Sequence, residues 1–253
     1  MASAGRVLVV DDEPVVCLGL SRMLQRHGYE VDTASGGPAA LERHRRSRYD
    51  VLLVDIMMPQ MNGLDLLARL HEEKSEARAI VVTGLGAARN AIEAFRLGAF
   101  DFVTKPFTSD ELLSAIRRAA SAQAAECALL APPAVSNVHR LGVHSWTRLA
   151  ADGTALVGIQ ECLQRTAGRL VNVDLPNEGD EMTQGEVCAR IRSDDGGVYS
   201  VWCPLTGRIV EVNLEVLQQP ALANTDPYGG GWLFRLFPTA FDEESSTLIP
   251  PPQ

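Results

Sequence analysis

Lysine is almost absent from this chain: Lys74 and Lys105 are the only two, and nothing after residue 105 carries a side-chain primary amine. Attachment of any group to a lysine is therefore excluded from the whole C-terminal half. Long apolar runs are missing too. None approaches the ~18–20 residues needed to cross a bilayer, so no membrane partner is expected. The N-terminus, MASAGRVLVVDD, enters a strand directly, without the basic start and apolar core of a signal peptide, and the expected location is the cytoplasm. Cysteines are five (Cys17, Cys127, Cys162, Cys188 and Cys203), odd in number and without a CxxC spacing. Neither a disulfide framework nor a zinc site is suggested, and free, mostly buried thiols are expected.

Positive charge is scarce in one half only. Residues 1–140 carry 16 basic and 17 acidic side chains, whereas residues 141–253 carry 7 basic and 15 acidic, for net charges of −1 and −8. An acidic second half repels phosphate backbones, and it offers no basic recognition helix, so no nucleic-acid partner is expected.

What is present has two grammars. A chain of 253 residues suffices for two ordinary domains. Over the first ~120 residues, short apolar runs (RVLVV, EVDTA, VLLVD, AIVVT, DFVT) alternate with amphipathic segments near 14–27, 37–47, 63–74, 87–97 and 109–125. Alternation of this kind predicts an α/β domain with a doubly wound, five-stranded parallel sheet. TSDE before the fifth helix offers an N-cap and an acidic first turn. Residues 1–122 are read as this domain and 123–143 as a helix extension and linker, ended by Pro132-Pro133. Residues 144–241 are read as a small β-rich barrel-sandwich domain with one helical piece, IQECLQRTAG, and 242–253 as a tail.

In an open parallel sheet the ligand crevice lies at the carboxyl ends of strands, where strand order reverses. Asp11 and Asp12 follow the first strand, Asp55 closes the third, Thr83 ends the fourth and Lys105 follows the fifth. One crevice would thus gather three carboxylates, a hydroxyl and an ammonium. Crowded carboxylates repel, and a hard cation such as Mg²⁺ relieves the repulsion. One carboxylate is then left as a nucleophile toward a phosphoryl group, with Lys105 on its oxygens and Thr83 as hydrogen-bond donor.

The runs VLVVDDEP, DVLLVDIMMPQMNGLDLL, AIVVTG and GAFDFVTKPF resemble the receiver domain of two-component response regulators over residues ~5–122. The resemblance implies Asp55 as phosphoacceptor. It implies Mg²⁺ held by Asp12, Asp55 and the Met57 carbonyl, with Asp11 acting mainly through metal-bound water. It further implies Lys105 as the phosphate-contacting lysine, preceding a proline that is commonly cis, and Thr83 with Phe102 as the switch pair. The apolar Met57 and Leu85 stand where water access is controlled, which implies slow autodephosphorylation. Homodimerisation through the face of the fourth helix, fifth strand and fifth helix is a further expectation. Arg96, Asp101, Arg117 and Arg118 are candidates for its ion pairs, against plain solvated charge as the alternative.

HSWTRLAADGTALVGI, LVNVDLPNEGDEM, CPLTGRIVEVN and QPALANTDPYGGGWLFRL are similar to the glycine cleavage system H-protein, of the lipoyl-carrier sandwich family. Trp146, Trp202, Trp232 and Phe234 are expected to fill its core. Such a carrier works through one lysine at a hairpin tip. Aligning VYSVWCPLTG places Gly196 at that position, Ser193 at the preceding glutamate and Gly197 at the following alanine. No lipoate is expected. Asp195-Gly196 reads instead as a tight hairpin with a polar, flexible, exposed tip.

Together these imply a response regulator phosphorylated on Asp55 by a sensor histidine kinase. Its degenerate H-protein-like domain would be an interaction output for an unidentified protein. Beyond its own phosphoryl transfer and slow dephosphorylation, no enzyme activity is expected. A phosphorylation-regulated lipoyl carrier is disfavoured for want of a lysine, and a transcriptional regulator for want of a DNA-binding motif.

Overall fold

The computed structural model describes residues 4–84, 87–121 and 137–251. The chain divides into two compact units. In the first, β1 (Arg6–Val10), β2 (Glu30–Ala34), β3 (Val51–Val54), β4 (Arg78–Thr83) and β5 (Asp101–Thr104) form one parallel sheet in the order β2-β1-β3-β4-β5. Val7–Val10 and Val51–Val54 are buried throughout, which is why these strands read as unbroken apolar runs: both faces of a parallel sheet are covered. Helices α1 (Pro14–Arg26), α2 (Gly37–Arg46), α3 (Gly63–Glu72), α4 (Ala87–Arg96) and α5 (Ser109–Ala120) connect them.

The sequence explains several helix starts. Pro14 opens α1, where a missing N–H costs nothing. Asn62 caps α3 by accepting from the Asp65 N–H at 2.9 Å. Thr108 and Glu111 form a reciprocal capping box before α5: Glu111 N–H donates to Thr108 Oγ1 at 3.2 Å, and Thr108 N–H donates to Glu111 Oε2 at 2.8 Å. The continuation of α5 expected beyond residue 121, most of the 123–143 linker, and Leu85 lie outside the described residues.

The second unit is antiparallel. A six-stranded sheet runs β10-β13-β14-β8-β7-β6, and a three-stranded sheet runs β12-β11-β9. The larger comprises β6 (His139–Leu141), β7 (Ser145–Leu149), β8 (Ala155–Ile159), β10 (Glu181–Met182), β13 (Gly207–Val212) and β14 (Phe234–Pro238). The smaller comprises β9 (Leu170–Asp174), β11 (Val187–Ser193) and β12 (Val198–Trp202). Short helices α6 (Glu161–Ala167), α7 (Leu214–Gln218), α8 (Leu222–Thr225) and α9 (Phe241–Ser245) complete it. β6 is closed at its far side by the chain end: Arg140 N–H donates to the Ile249 carbonyl and Ile249 N–H returns to Arg140 at 3.0 and 2.9 Å.

Trp146, Trp202 and Phe234 are completely buried, as expected, but Trp232 is not. It stands half-exposed, with its carbonyl accepting from Asn213 Nδ2 at 2.6 Å, and Leu233 takes the interior place. Strand alternation would turn Trp232 inward with Phe234 and Leu236, but β14 begins only at Phe234, and the two residues before it are held by the Gly-rich turn, by Asn213 and by the Leu233 N–H bond to the Val157 carbonyl at 2.7 Å. Gly158 makes room for Trp146, since a Cβ there would lie 2.4 Å from Trp146 Cζ2.

The expectation of free thiols needs correction at one position. Cys17, Cys188 and Cys203 are free and buried, but Cys162 in α6 is disulfide-bonded, with its partner outside the described residues. Sequence spacing carries no trace of such a bond, because proximity is set by the fold.

Candidate functional site: the crevice at the strand ends

Reversal of strand order at β1 opens the crevice between the carboxyl ends of β1 and β3. Asp11 and Asp55 are delivered there by the strands they follow, and both are buried, at 4% and 7% exposure. Each is fixed the same way. Asp11 Oδ1 accepts from the Glu13 N–H at 2.9 Å, and Asp55 Oδ2 accepts from the Met57 N–H at 2.6 Å. An aspartate bonding the backbone two residues on is an Asx-turn. The turn leaves the second oxygen of each carboxylate pointing into the crevice.

Both second oxygens meet one cation. Lys105 Nζ donates to Asp55 Oδ1 at 2.8 Å and to Asp11 Oδ2 at 3.1 Å. Partial burial works to lower the Lys105 pKa, but hydrogen bonds to Asp55 and Asp11, with their charges, outweigh it and hold the ammonium above its usual range. Lys105 follows the end of β5 directly, and its bond to Pro106 is cis. Its own N–H donates to the Thr83 carbonyl at 2.9 Å.

Thr83 ends β4 at 1% exposure, and its hydroxyl has no hydrogen-bond partner among the described residues. Phe102 in β5 is equally buried, cross-strand from Val81. Below the crevice, Cys17 in α1 donates its thiol to the Asp11 carbonyl at 3.3 Å. Burial first, and then the Asp11 charge, push that thiol's pKa up. Gly63 supports the floor: its N–H donates to the Ile56 carbonyl at 2.9 Å, and a Cβ would sit 2.3 Å from the Asp55 carbonyl oxygen.

The structure thus brings together Asp11, Asp55 and Lys105, with Thr83 at the adjoining strand end. Asp12 is half-buried beside them, and Met57 stands 61% exposed at the mouth. Among the described residues no three His, Cys, Asp or Glu side chains are grouped closely enough to hold a metal ion by themselves, and the Lys105 ammonium bridges Asp11 and Asp55. The donor set nonetheless suits a hard divalent cation. Three carboxylates against one ammonium leave two negative charges, and every available ligand atom is oxygen. Sequence reasoning missed the two Asx-turn donors, the Glu13 and Met57 N–H groups, although the Asp-to-i+2 spacing is their signal.

Two of the four charges proposed for a dimer face are committed within the chain. Arg118 and Asp101 form a buried ion pair, and the Arg118 guanidinium lies 4.9 Å above the Phe100 ring. Arg96 and Arg117 are exposed.

At the hairpin of the second unit, Ser193 N–H donates to the Gly197 carbonyl, and Gly196 N–H donates to the Ser193 carbonyl, both at 3.0 Å. Gly196 has φ +86°. The loop is therefore three residues, 194–196, with Gly196 in the left-handed position, rather than a two-residue Asp-Gly turn. Nor is it flexible. Asp195 Oδ1 accepts from the Gly197 N–H at 3.0 Å and from the Ser193 hydroxyl, and Asp194 N–H donates to the Arg169 carbonyl at 3.0 Å. Asp194, Asp195 and Gly196 are exposed, while Ser193 and Gly197 are buried. Nothing lies within 4 Å of a Cβ placed on Gly196.

A doubly wound sheet with this crevice, followed by an antiparallel sandwich, defines a receiver joined to a carrier-type domain. The description of the response regulator receiver domain fits residues 7–117, and that of the glycine cleavage H-protein fits residues 138–251. The chain belongs to both families, one in each half. The transcriptional regulatory protein PcoR of Escherichia coli is 30% identical over 164 residues, 64% of this chain and 73% of that protein. The probable transcriptional regulatory protein TcrX of Mycobacterium tuberculosis is 39% identical over 111 residues, 44% of this chain and 47% of that protein. The chain spans half or less of the length of several such regulators. The glycine cleavage system H protein of Alkalilimnicola ehrlichii is 38% identical over 107 residues, 42% of this chain and 82% of that protein. A solved H protein from Mycobacterium marinum is 36% identical, with TM-score 0.40, covering 42% of this chain and 87% of that one. Receiver domain and regulator relatives together make this chain a two-component response regulator.

Proposed function

We propose that Asp55 accepts a phosphoryl group from a sensor histidine kinase and that the second unit is the output, acting by protein interaction. The observation that carries this is the Lys105 ammonium bridging Asp11 and Asp55, with the Thr83 hydroxyl lacking a hydrogen-bond partner among the described residues. In the transfer, an Asp55 carboxylate oxygen attacks phosphorus, a P–O bond forms and the P–N bond to the kinase imidazole breaks. Lys105 shifts from Asp55 Oδ1 to a phosphoryl oxygen, keeping Asp11 as its second partner. Thr83 then finds in the phosphoryl group the acceptor it lacks, and its movement frees space toward Phe102. Asp12, Asp55 and the Met57 carbonyl would hold Mg²⁺, with Asp11 reached through water, and the ion would supply charge neutralisation for the incoming phosphoryl group.

The phosphoryl group acts as a differential ligand between two states of the receiver. No separate enzyme activity is assigned, and the location proposed is the cytoplasm. Homodimerisation through α4, β5 and α5 would rely on Arg96 and Arg117, since Asp101 and Arg118 already pair. The second unit, net acidic and without an amine, neither carries lipoate nor binds nucleic acid. Among the described residues no helix is long and apolar enough to cross a membrane.

The test is treatment of the full chain with a small-molecule phosphodonor and Mg²⁺, followed by intact mass and decay measurements. Wild type gains one phosphoryl group and Asp55→Ala gains none. Equal uptake by both overturns the assignment. An apolar Met57 at the mouth predicts slow decay, and a lifetime of seconds contradicts it. For the output, capture of a partner by Asp55-phosphorylated protein should differ from capture by Asp55→Ala.

A further inference from the structure

A cavity of about 390 Å³ opens between α2 and the edge strand β2, near the amino-terminal end of the sheet. It lies across the sheet from the crevice that holds Asp55, and its volume is in the range of small-molecule sites. Arg6, Asp32, Glu42, Arg43 and Arg46 face it, three guanidiniums against two carboxylates.

Most of these charges are already placed. Asp32 Oδ2 accepts from Arg6 Nη2 and from the Tyr49 hydroxyl, each at 2.8 Å, and the Arg6 guanidinium lies 5.0 Å above the Tyr49 ring. The Tyr49 hydrogen bond, with Arg6 beside it, holds the Asp32 carboxyl below its usual pKa range. Arg46 pairs with Glu42 at 2.6 Å on the surface. Two groups are less committed: the Arg43 guanidinium is exposed and forms no close ion pair among the described residues, its charge only helping to lower the Asp32 carboxyl, and the bonds to Asp32 from Arg6 and Tyr49 both fall on Oδ2. Ser47 lines the same cavity.

We infer that this cavity binds a phosphate monoester carrying hydroxyl groups, of sugar-phosphate size. The Arg43 guanidinium takes the phosphate bidentately with the Ser47 hydroxyl as an added donor, and Asp32 Oδ1 accepts from a ligand hydroxyl. A bare anion satisfies only the first half of this set, and a neutral sugar only the second. Arg46 is held only by an exposed pair worth little, so it can turn to the phosphate as well.

The test is isothermal titration of the full chain with ribose 5-phosphate, inorganic phosphate and ribose, each to a few millimolar. Ribose 5-phosphate binds, more tightly than inorganic phosphate, while ribose does not, and the affinity falls as salt is raised. Arg43→Glu weakens binding by roughly tenfold or more, and Arg43→Lys weakens it less, because an ammonium lacks the planar fork. Phosphoryl uptake by Asp55 in the same variants reports that the domain is folded. Failure of ribose 5-phosphate to bind overturns the inference, as does binding that survives Arg43→Glu, or inorganic phosphate binding as tightly as the sugar phosphate.

Discussion

The receiver crevice and the hairpin tip of the second unit use the same local device to opposite ends. Asp11, Asp55 and Asp195 each accept from the N–H two residues on. At Asp11 and Asp55 this leaves the second carboxylate oxygen free, and Lys105 arrives from a distant strand to meet both. At the tip, Asp195 Oδ1 takes both the Gly197 N–H and the Ser193 hydroxyl, bracing the loop. At Asp11 and Asp55 the local Asx-turn is half of a site, because the tertiary fold brings Lys105 as the third partner.

The largest effect that would break this contrast is at Lys105. Lys105→Met should slow phosphoryl uptake by about 10²–10³, the typical cost of one lost charge-stabilising donor, read by phosphodonor kinetics. Unchanged kinetics would leave the bridge a purely structural cap like the tip. Next is Gly63→Ala. With a Cβ forced to 2.3 Å from the Asp55 carbonyl, it should cost about 2–3 kcal/mol in urea unfolding and slow uptake together. A stability loss without a kinetic one would uncouple the crevice floor from its chemistry.

Smaller is Gly196→Lys at the tip. Open space surrounds the new side chain, but φ +86° strains it, so about 1–2 kcal/mol of stability is lost. Intact mass after incubation with a lipoate ligase should be unchanged. A lipoyl adduct would show that only the amine separates this tip from a working carrier. The smallest effect is a pH dependence. The folded-state pKa of Lys105 lies above its ordinary 10.5. Stability from the bridge is therefore fully present below that value and lost as pH rises through the raised pKa. The stability difference between wild type and Lys105→Met should shrink in that alkaline window, and a difference constant to higher pH would contradict the linkage.

Much of the receiver could be read in advance because its signals are local. Val7–Val10 and Val51–Val54 announce buried parallel strands by their unbroken apolar runs, and Thr108 with Glu111 announces a helix start. The second unit resisted more. Trp232 and Leu233 are adjacent apolar residues just before β14, and which of them turns inward depends on the turn and on the bonds to Asn213 and Val157 that hold them there. Likewise, Asp195-Gly196 suits a two-residue turn by composition, yet the pairing of Ser193 with Gly197 leaves three residues in the loop.

By itself the sequence determined the parallel-sheet order of elements, the placing of Asp11, Asp55, Thr83 and Lys105 at strand ends, and the absence of any amine from the second half. These follow from periodicity and composition, which need no partner. Only the tertiary structure decided that Lys105 bridges two carboxylates, that Asp101 is spent on Arg118, that Cys162 is disulfide-bonded, and that Arg43 faces a cavity with no ion-pair partner of its own. Each is a meeting of groups far apart in the chain. Packing of the whole fold sets such meetings, and no local preference encodes them.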